Sequence, residues 1–255
     1  LIDCMLHTPP LEKQTLKIEY LWESFSQQLD IKYYMTQTVK ILDYDIIYLS
    51  YDEPNAEKNY ADLCAKVPWA KRVHGVKGIH QAHIKAAKKC FTKMFWIVDA
   101  EAMIMPDFHF DYVVPDHQID HVHVWRAKNR INGLEYGYGG VKLFPRNLTI
   151  GMYTTKPDMT TSISEHFIAV DEVANITAFN TSPFETWKGA FRECAKLSSK
   201  TITRQDNEET EQRLETWCTK GSEERYGSYA LNGANAGRKF GISNRSNIGL
   251  INDFN

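Results

Sequence analysis

No stretch of this 255-residue chain approaches the roughly 18 consecutive apolar residues of a membrane-spanning helix, so no membrane partner is expected. A charged segment followed by an apolar one, the mark of a secretory signal, is also missing at the start. The chain opens on Leu1, Ile2, Asp3 and Cys4, which reads as a trimmed or processed end. Cysteine is scarce: Cys4, Cys64, Cys90, Cys194 and Cys218 are odd in number, widely spaced, and contain no Cys-x-x-Cys zinc spacing. Cys64, Cys90 and Cys194 fall on apolar helix faces, which predicts buried thiols in a reducing cytoplasm. A glycine-rich phosphate loop is absent too. Gly233–Gly241 (GANAGRKFG) lacks both the GxGxxG spacing and the Ser or Thr of a P-loop, and reads as a flexible loop followed by a tail. Nor is there an excess of positive charge: 30 Lys and Arg against 32 Asp and Glu give a net charge of −2. Nucleic-acid binding, which draws on phosphate neutralisation, is therefore restricted to local basic clusters. Three exist: Lys66, Lys71, Arg72 and Lys77; Arg126, Lys128 and Arg130; Arg238, Lys239 and Arg245.

What is present is ordinary globular material, 43% hydrophobic and 24% charged, long enough for one large domain or a domain with a helical lobe. Its most informative segment runs from Met94 to Met105. Phe95, Trp96, Ile97 and Val98 form a short apolar run of strand type that breaks into Asp99, Ala100 and Glu101. Two carboxylates spaced i, i+2 leave a strand end on the same side and can share a hard divalent cation. Loop solvation or a helix cap is the plainer use of such a pair, and the upstream context favours the metal. Ile46–Ser50 is a second apolar run, ending in Tyr51, Asp52, Glu53 and Pro54. Asn55 can cap a following helix whose apolar positions are Tyr60, Leu63, Cys64 and Val67. After Lys77 and Gly78, the residues Ile79, Ala82, His83, Ala86, Ala87 and Cys90 make a continuous helical stripe leading to the Phe95 strand. Strand, helix, helix, strand, with an acidic terminus on each strand, describes an α/β nucleotide-binding half. Ligands of open α/β sheets sit outside the carboxyl ends of the strands, where both acidic loops fall.

The middle of the chain crowds His109, His117, His121 and His123 into fifteen positions. His117 and His121 sit in a turn-like string rather than on a helix, and no acidic third ligand is fixed by spacing, so zinc is not expected. Val122–Trp125 alternates as a strand, and Gly133–Gly140 is a turn rich in Gly and Tyr leading into strand Val141–Phe144. Its Tyr136 and Tyr138 have the character of a stacking wall for a sugar or a flipped base, or of plain surface tyrosines on a hairpin. Downstream, Ser182, Pro183 and Glu185 form a capping box ahead of a helix with Phe184, Trp187, Phe191 and Cys194 on its core stripe. Glu185 is then a cap rather than a catalytic base. A second, charged helix covers roughly Asp206 to Cys218, with Leu214, Trp217 and Cys218 inward and Gly221 ending it.

Ile46–Glu101 resembles the nucleotide-binding half of a glycosyltransferase of the GT-A fold, whose signature is a variant Asp-x-Asp at the end of a buried strand. Val122–Asn129 (VHVWRAKN), Leu134–Pro145 (LEYGYGGVKLFP) and Phe184–Leu197 (FETWKGAFRECAKL) are similar to a phage-borne group. These enzymes glycosylate hydroxymethylated pyrimidines in DNA and include those called TET-associated glycosyltransferases. The likeness covers roughly Asp43 to Gly241. It implies an α/β fold with a mixed, mostly parallel sheet flanked by helices, a core over residues 1–181 and a helical, acceptor-side extension over 182–255. It implies a UDP-sugar donor held by Tyr51, Asp52, Glu53, Lys77, Gly78, His80, His83, Asp99, Ala100, Glu101, Gly139 and Gly140. Mn²⁺ or Mg²⁺ would be bound by Asp99 and Glu101, with His166 as third ligand unless diphosphate and water take that place. Hydroxymethylcytosine DNA is the implied acceptor, met by Trp125, Arg126, Lys128, Tyr136, Tyr138 and Arg192, in the cytoplasm of a bacterial host. Candidates for the base are Asp171 and Glu172 first, then Glu135, with Glu165 also available. Two alternatives stand beside this: the same chemistry on a carbohydrate or protein acceptor, and a silent nucleotide- or DNA-binding module. The sugar, glucose or arabinose, and the stereochemical outcome stay open.

Overall fold

The computed structural model describes residues 44–137, 139–156, 158–200 and 207–252. The chain divides into two compact units, one of residues 1–43 with 110–112, the other of 44–109 with 113–255. Every element named below belongs to the second.

Two apolar runs and one polar segment become parallel neighbours. β1 (Asp45–Ser50) pairs with β2 (Lys71–His74) on one side and β3 (Met94–Asp99) on the other. The connections are helices, α1 (Ala56–Lys66) between β1 and β2, and α2 (Ile79–Lys88) between β2 and β3. β2 was not foreseen: its sequence, Lys-Arg-Val-His, carries one buried apolar residue and no strand-like alternation. Ile79, expected at the head of the α2 stripe, is half exposed, whereas Ala82, His83, Ala86 and Ala87 are buried as the 3.6 period requires. Beyond β3 the sheet becomes mixed. β7 (Val141–Pro145) runs antiparallel between β3 and β5 (Val122–Asn129); β5 pairs parallel with β8 (Phe167–Thr177); and β4 (Ala102–Ile104) closes the order antiparallel to β8. The two-residue β6 (Glu135–Tyr136) hangs on β5. The full order is β2-β1-β3-β7-β5-β8-β4, so the sheet is mixed rather than mostly parallel.

That order forces curvature. β3 and β4 are joined by only Ala100 and Glu101, yet lie four strand steps apart. A flat sheet would separate them by about 19 Å, while the three Cα–Cα steps from Asp99 to Ala102 span at most about 11 Å. The sheet therefore curls until its far edge returns to β3. Asp99, Ala100 and Glu101 bridge that closure.

Period-2 alternation sends β3 side chains to two faces. Phe95 and Ile97 pack with Ala86, Ala87 and Cys90 around α2, and with Phe144, Met152, Met159 and Ile163. Trp96 faces the other way, its ring 4.5 Å from that of Trp125 and 5.9 Å from that of Phe108. Two short helices, α3 (Arg146–Ile150) and α4 (Met159–Ile163), cover the first face.

Three helices follow: α5 (Pro183–Ser199), α6 (Asn207–Thr219) and α7 (Gly227–Ser243). The cap foreseen for α5 is present, with Ser182 Oγ accepting from the Glu185 N–H at 3.1 Å. The expectation of a loop at Gly233–Gly241 is wrong. These residues lie within α7, where Gly233, Gly237 and Gly241 recur every fourth position and form one flat face. A Cβ at those positions would strike the backbone carbonyls of Trp187, Phe191 and Ala195 on α5. The glycines are there for close helix packing, which outweighs their poor helix propensity. No described helix is long and apolar enough to cross a membrane.

Candidate functional site

The closure of the sheet is held rigidly from behind. The Ala100 carbonyl accepts from Asn59 Nδ2 at 2.7 Å and lies 3.0 Å from the Tyr48 hydroxyl. Both side chains are buried, so the backbone of the link is fixed by α1 and β1. Sequence reasoning missed both: Tyr48 counted only as part of an apolar run, and Asn59 falls one position from the apolar Tyr60.

Asp99 leaves the end of β3 with one carboxylate oxygen committed. Its Oδ2 accepts from Lys142 Nζ at 2.7 Å and from the Gly140 N–H at 3.3 Å. Gly139 (φ 151°) and Gly140 (φ 89°) adopt backbone that side-chain-bearing residues avoid, and a Cβ at Gly140 would overlap the Asn175 side chain. Those glycines thus let β7 begin against Asp99, and Lys142, two residues on, reaches it. Burial disfavours the charged carboxylate, but the Lys142 ammonium and the Gly140 N–H outweigh it, and the Asp99 pKa lies below the ordinary value. Glu101 behaves oppositely. Burial, reinforced by the negative charges of Asp99, Glu53 and Glu185, pushes its pKa up to about 7, against a smaller pull from Lys188.

The neighbours of this link come from three further places. Glu53 follows β1, where its Oε2 accepts from the Tyr51 N–H at 2.7 Å; Tyr51 and Asp52 are exposed. Glu185, Lys188 and Arg192 come from α5, with Lys188 Nζ 2.5 Å from Glu185 Oε2. Burial lowers the pKa of Arg192, Glu101 opposes that shift in part, and the guanidinium donates to the Ile251 carbonyl. On α2, Gly78 (φ 89°) opens the helix beside the exposed Lys77, and His80 Nε2 lies 3.3 Å from Ser162 Oγ. His83 is buried, with Nδ1 2.7 Å from the Ile79 carbonyl and Nε2 sealed from solvent without a hydrogen-bond partner. Burial lowers its pKa to about 4, so the ring is neutral at physiological pH, and Asp99 and Lys142 are the charged groups that act most on it. Lys142 and Lys188 were not foreseen. A lone Lys in strand Val141–Phe144, and one on the flank of a capped helix, look alike in sequence whether or not they meet a carboxylate.

Other candidates lie elsewhere. The β5–β8 register jumps from Trp125–Val170 to Arg126–Val173, so Asp171 and Glu172 occupy a β-bulge. Asp171 is exposed and accepts from Arg126, and Glu135 lies 3.4 Å from both Arg126 and Lys128. The expected acceptor cations and the expected catalytic acids therefore neutralise one another. Glu172 Oε2 accepts from Trp125 Nε1 at 3.0 Å. Trp125 itself is fully buried, and so is not an acceptor wall. Tyr136 is buried as well, donating to Glu193 Oε1 at 2.6 Å and accepting from Trp217 Nε1 at 2.9 Å. Tyr138 lies outside the described residues. His166 stacks on His121, ring centroids 5.0 Å apart, where β5 and β8 begin. It stands at the opposite end of the parallel strands from Asp99, and the structure does not bring it to Asp99 and Glu101. Glu165 lies beside it, 3.5 Å from Lys156.

Among the described residues no group of three or more His, Cys, Asp or Glu side chains is arranged to hold a metal ion. The donors at the closure are the two carboxylates of Asp99 and Glu101. Compared with known proteins, the chain matches no family model and no curated sequence.

Proposed function

We propose that the protein is a glycosyltransferase of GT-A type, transferring glucose or arabinose from a UDP-sugar to the hydroxymethyl group of modified cytosine in DNA. One observation carries this reading: the Asp99–Glu101 link lies at the carboxyl end of β3, beside the acidic end of parallel β1, where α/β sheets bind ligands. Mn²⁺ or Mg²⁺ fits the donor set. Such cations need only one or two protein carboxylates, and Glu101, raised by the charges of Asp99, Glu53 and Glu185, is a group whose repulsion a divalent cation would relieve. Asp99 and Glu101 would hold the cation, which when bound neutralises charge on the nucleoside diphosphate.

The chain's own groups supply the rest. Lys142 holds the Asp99 carboxylate through Oδ2. Tyr51, Asp52 and Glu53 line the side on which a base and ribose would rest, with Gly78 and His80 across α2. Asp171 and Glu172, on the bulge, remain the candidates for accepting the acceptor hydroxyl proton. The pairing of Arg126 and Lys128 with Glu135 and Asp171 favours a second reading, the same chemistry on a carbohydrate or protein acceptor. Mass spectrometry of hydroxymethylcytosine DNA incubated with a panel of UDP-sugars and Mn²⁺ separates the two. A hexose or pentose mass on the base supports the first; sugar release to water with unmodified DNA supports the second; neither, with no donor turnover, refutes both.

A further inference from the structure

Positive charge is segregated along the chain. Residues 63–98 contain eight Lys and Arg and no Asp or Glu, whereas the other 22 Lys and Arg share the chain with all 32 Asp and Glu. The acid-free segment supplies β2, which is the edge strand of the sheet, the helix α2 and the loop that leads into β3. Lys66, Lys71 and Arg72 are committed to ion pairs with Asp62, Asp45 and Glu57. Lys77, Lys85, Lys88 and Lys93 are exposed, and none of them has an ion-pair partner among the described residues. The helix accounts for their placement. Ala82, Ala86 and Ala87 of α2 are buried in the core, so Gln81, Lys85 and Lys88, at i, i+4 and i+7, line its outer face.

At the end of that row stands Phe91, 90% exposed on a backbone that is fixed. Asp45 Oδ2 accepts from the N–H groups of Phe91 at 2.6 Å and Thr92 at 3.1 Å, and Asp45 Oδ1 accepts from Lys71 Nζ at 2.5 Å. Lys71 Nζ lies 5.0 Å from the centroid of the Phe91 ring. Lys89 Nζ donates to the Arg72 carbonyl at 2.7 Å and ties the same loop to β2. Trp69, two residues before Lys71, is half exposed.

We propose that this flank binds a single strand of nucleic acid, with phosphates on Lys77, Lys85, Lys88 and Lys93 and a base stacked on Phe91. Strand binding without sequence preference combines such a row of cations with an exposed aromatic ring. The ten residues of α2 span about 15 Å, the rise of about four phosphates in a stacked strand. A bilayer is the poorer match. A helix lying in a membrane interface turns its apolar face outward, and α2 turns its apolar stripe into the core. Binding here needs neither donor nor metal, and so goes beyond sugar transfer. It leaves Arg126 and Lys128, already paired with Asp171 and Glu135, with no part in holding the strand.

The test follows the fluorescence polarisation of a fluorescein-labelled oligothymidylate with the full chain, without UDP-sugar or metal, from about 50 to 200 mM salt. Wild type should bind, with an affinity that falls as salt rises. In Lys85→Gln/Lys88→Gln/Lys93→Gln the slope of log K against log salt should shrink by about 2, since each phosphate contact on a single strand contributes about 0.7. Phe91→Ala should weaken binding on the order of tenfold and leave that slope unchanged. All four side chains are exposed, so both variants should fold, which circular dichroism checks. Absence of wild-type binding, an unchanged slope in the lysine variant, a Phe91→Ala affinity equal to that of wild type, or binding lost instead in Arg126→Gln/Lys128→Gln overturns the proposal. So does wild-type protein that sediments with phosphatidylserine-rich vesicles and leaves the oligonucleotide unbound.

Discussion

Two acidic pairs punctuate the curled sheet, and they are built on opposite principles. Asp99 and Glu101 sit half-buried where the sheet closes, with one lysine ion-paired to Asp99 and two further carboxylates, Glu53 and Glu185, acting on Glu101. Asp171 and Glu172 sit on an open bulge, and each has its own partner, Arg126 for one and the Trp125 N–H for the other. The first pair holds negative charge in excess and answers by raising one pKa; in the second each carboxylate has a donor of its own. Perturbed titration of this kind gathers at functional sites more often than at structural ones. That is why the closure, rather than the bulge, is where a cationic or metal-carrying ligand has most to gain.

Removing the partner of the first pair has the largest expected effect. Lys142→Met leaves the Asp99 carboxylate with only the Gly140 N–H, and should lower unfolding free energy by about 2 kcal/mol in urea titration. Next comes Glu101→Gln. Because the folded-state pKa of Glu101 is about 7 against an ordinary 4.5, its carboxyl binds a proton more tightly folded than unfolded. Its contribution is fully present below about pH 4.5 and is lost as pH rises toward and through about 7. Thermal melts should therefore find Glu101→Gln indistinguishable from wild type at pH 4 and more stable, by roughly 2 kcal/mol, at pH 8. Glu193, whose pKa burial also raises, adds a slope of the same sign that this variant leaves intact. The second pair should respond little. Glu172→Ala removes the carboxylate that accepts from the Trp125 N–H and should cost about 1 kcal/mol, and Asp171→Ala, on the surface, less than about 0.5 kcal/mol. An Asp171 effect as large as that of Lys142 would erase the distinction between the pairs.

The sequence made the first pair legible and the second deceptive. β1, α1, α2 and β3 follow from apolar runs and a 3.6 period, so local pattern alone puts Asp99 and Glu101 at a strand end. Ser182 announces α5 through its cap. The bulge is invisible to such patterns, since Phe167–Val170 followed by Asp171 reads as a strand running into a polar turn, and only pairing with β5 shows that the strand continues. Gly233–Gly241 misleads for a related reason. Glycines every fourth residue signal a loop to local propensity, and their role appears only once the α5 backbone lies against them. Trp125 and Tyr136 read as surface residues because aromatics near a predicted site invite stacking; the curl of the sheet and the packing of α6 bury them. Lys142 needs the β3–β7 pairing to be seen at all, and that pairing joins residues more than forty positions apart.

The most direct measurement is thermal stability with and without UDP and Mn²⁺ at pH 7.5, in wild type, Asp99→Ala/Glu101→Ala and Asp171→Ala/Glu172→Ala. Ligand at a hundredfold excess over its Kd stabilises a native protein by about 2.7 kcal/mol. The account predicts a metal-dependent rise in Tm for wild type and for the bulge variant, and none for the Asp99→Ala/Glu101→Ala variant. A rise undiminished by loss of Asp99 and Glu101, or abolished by loss of Asp171 and Glu172, would contradict it.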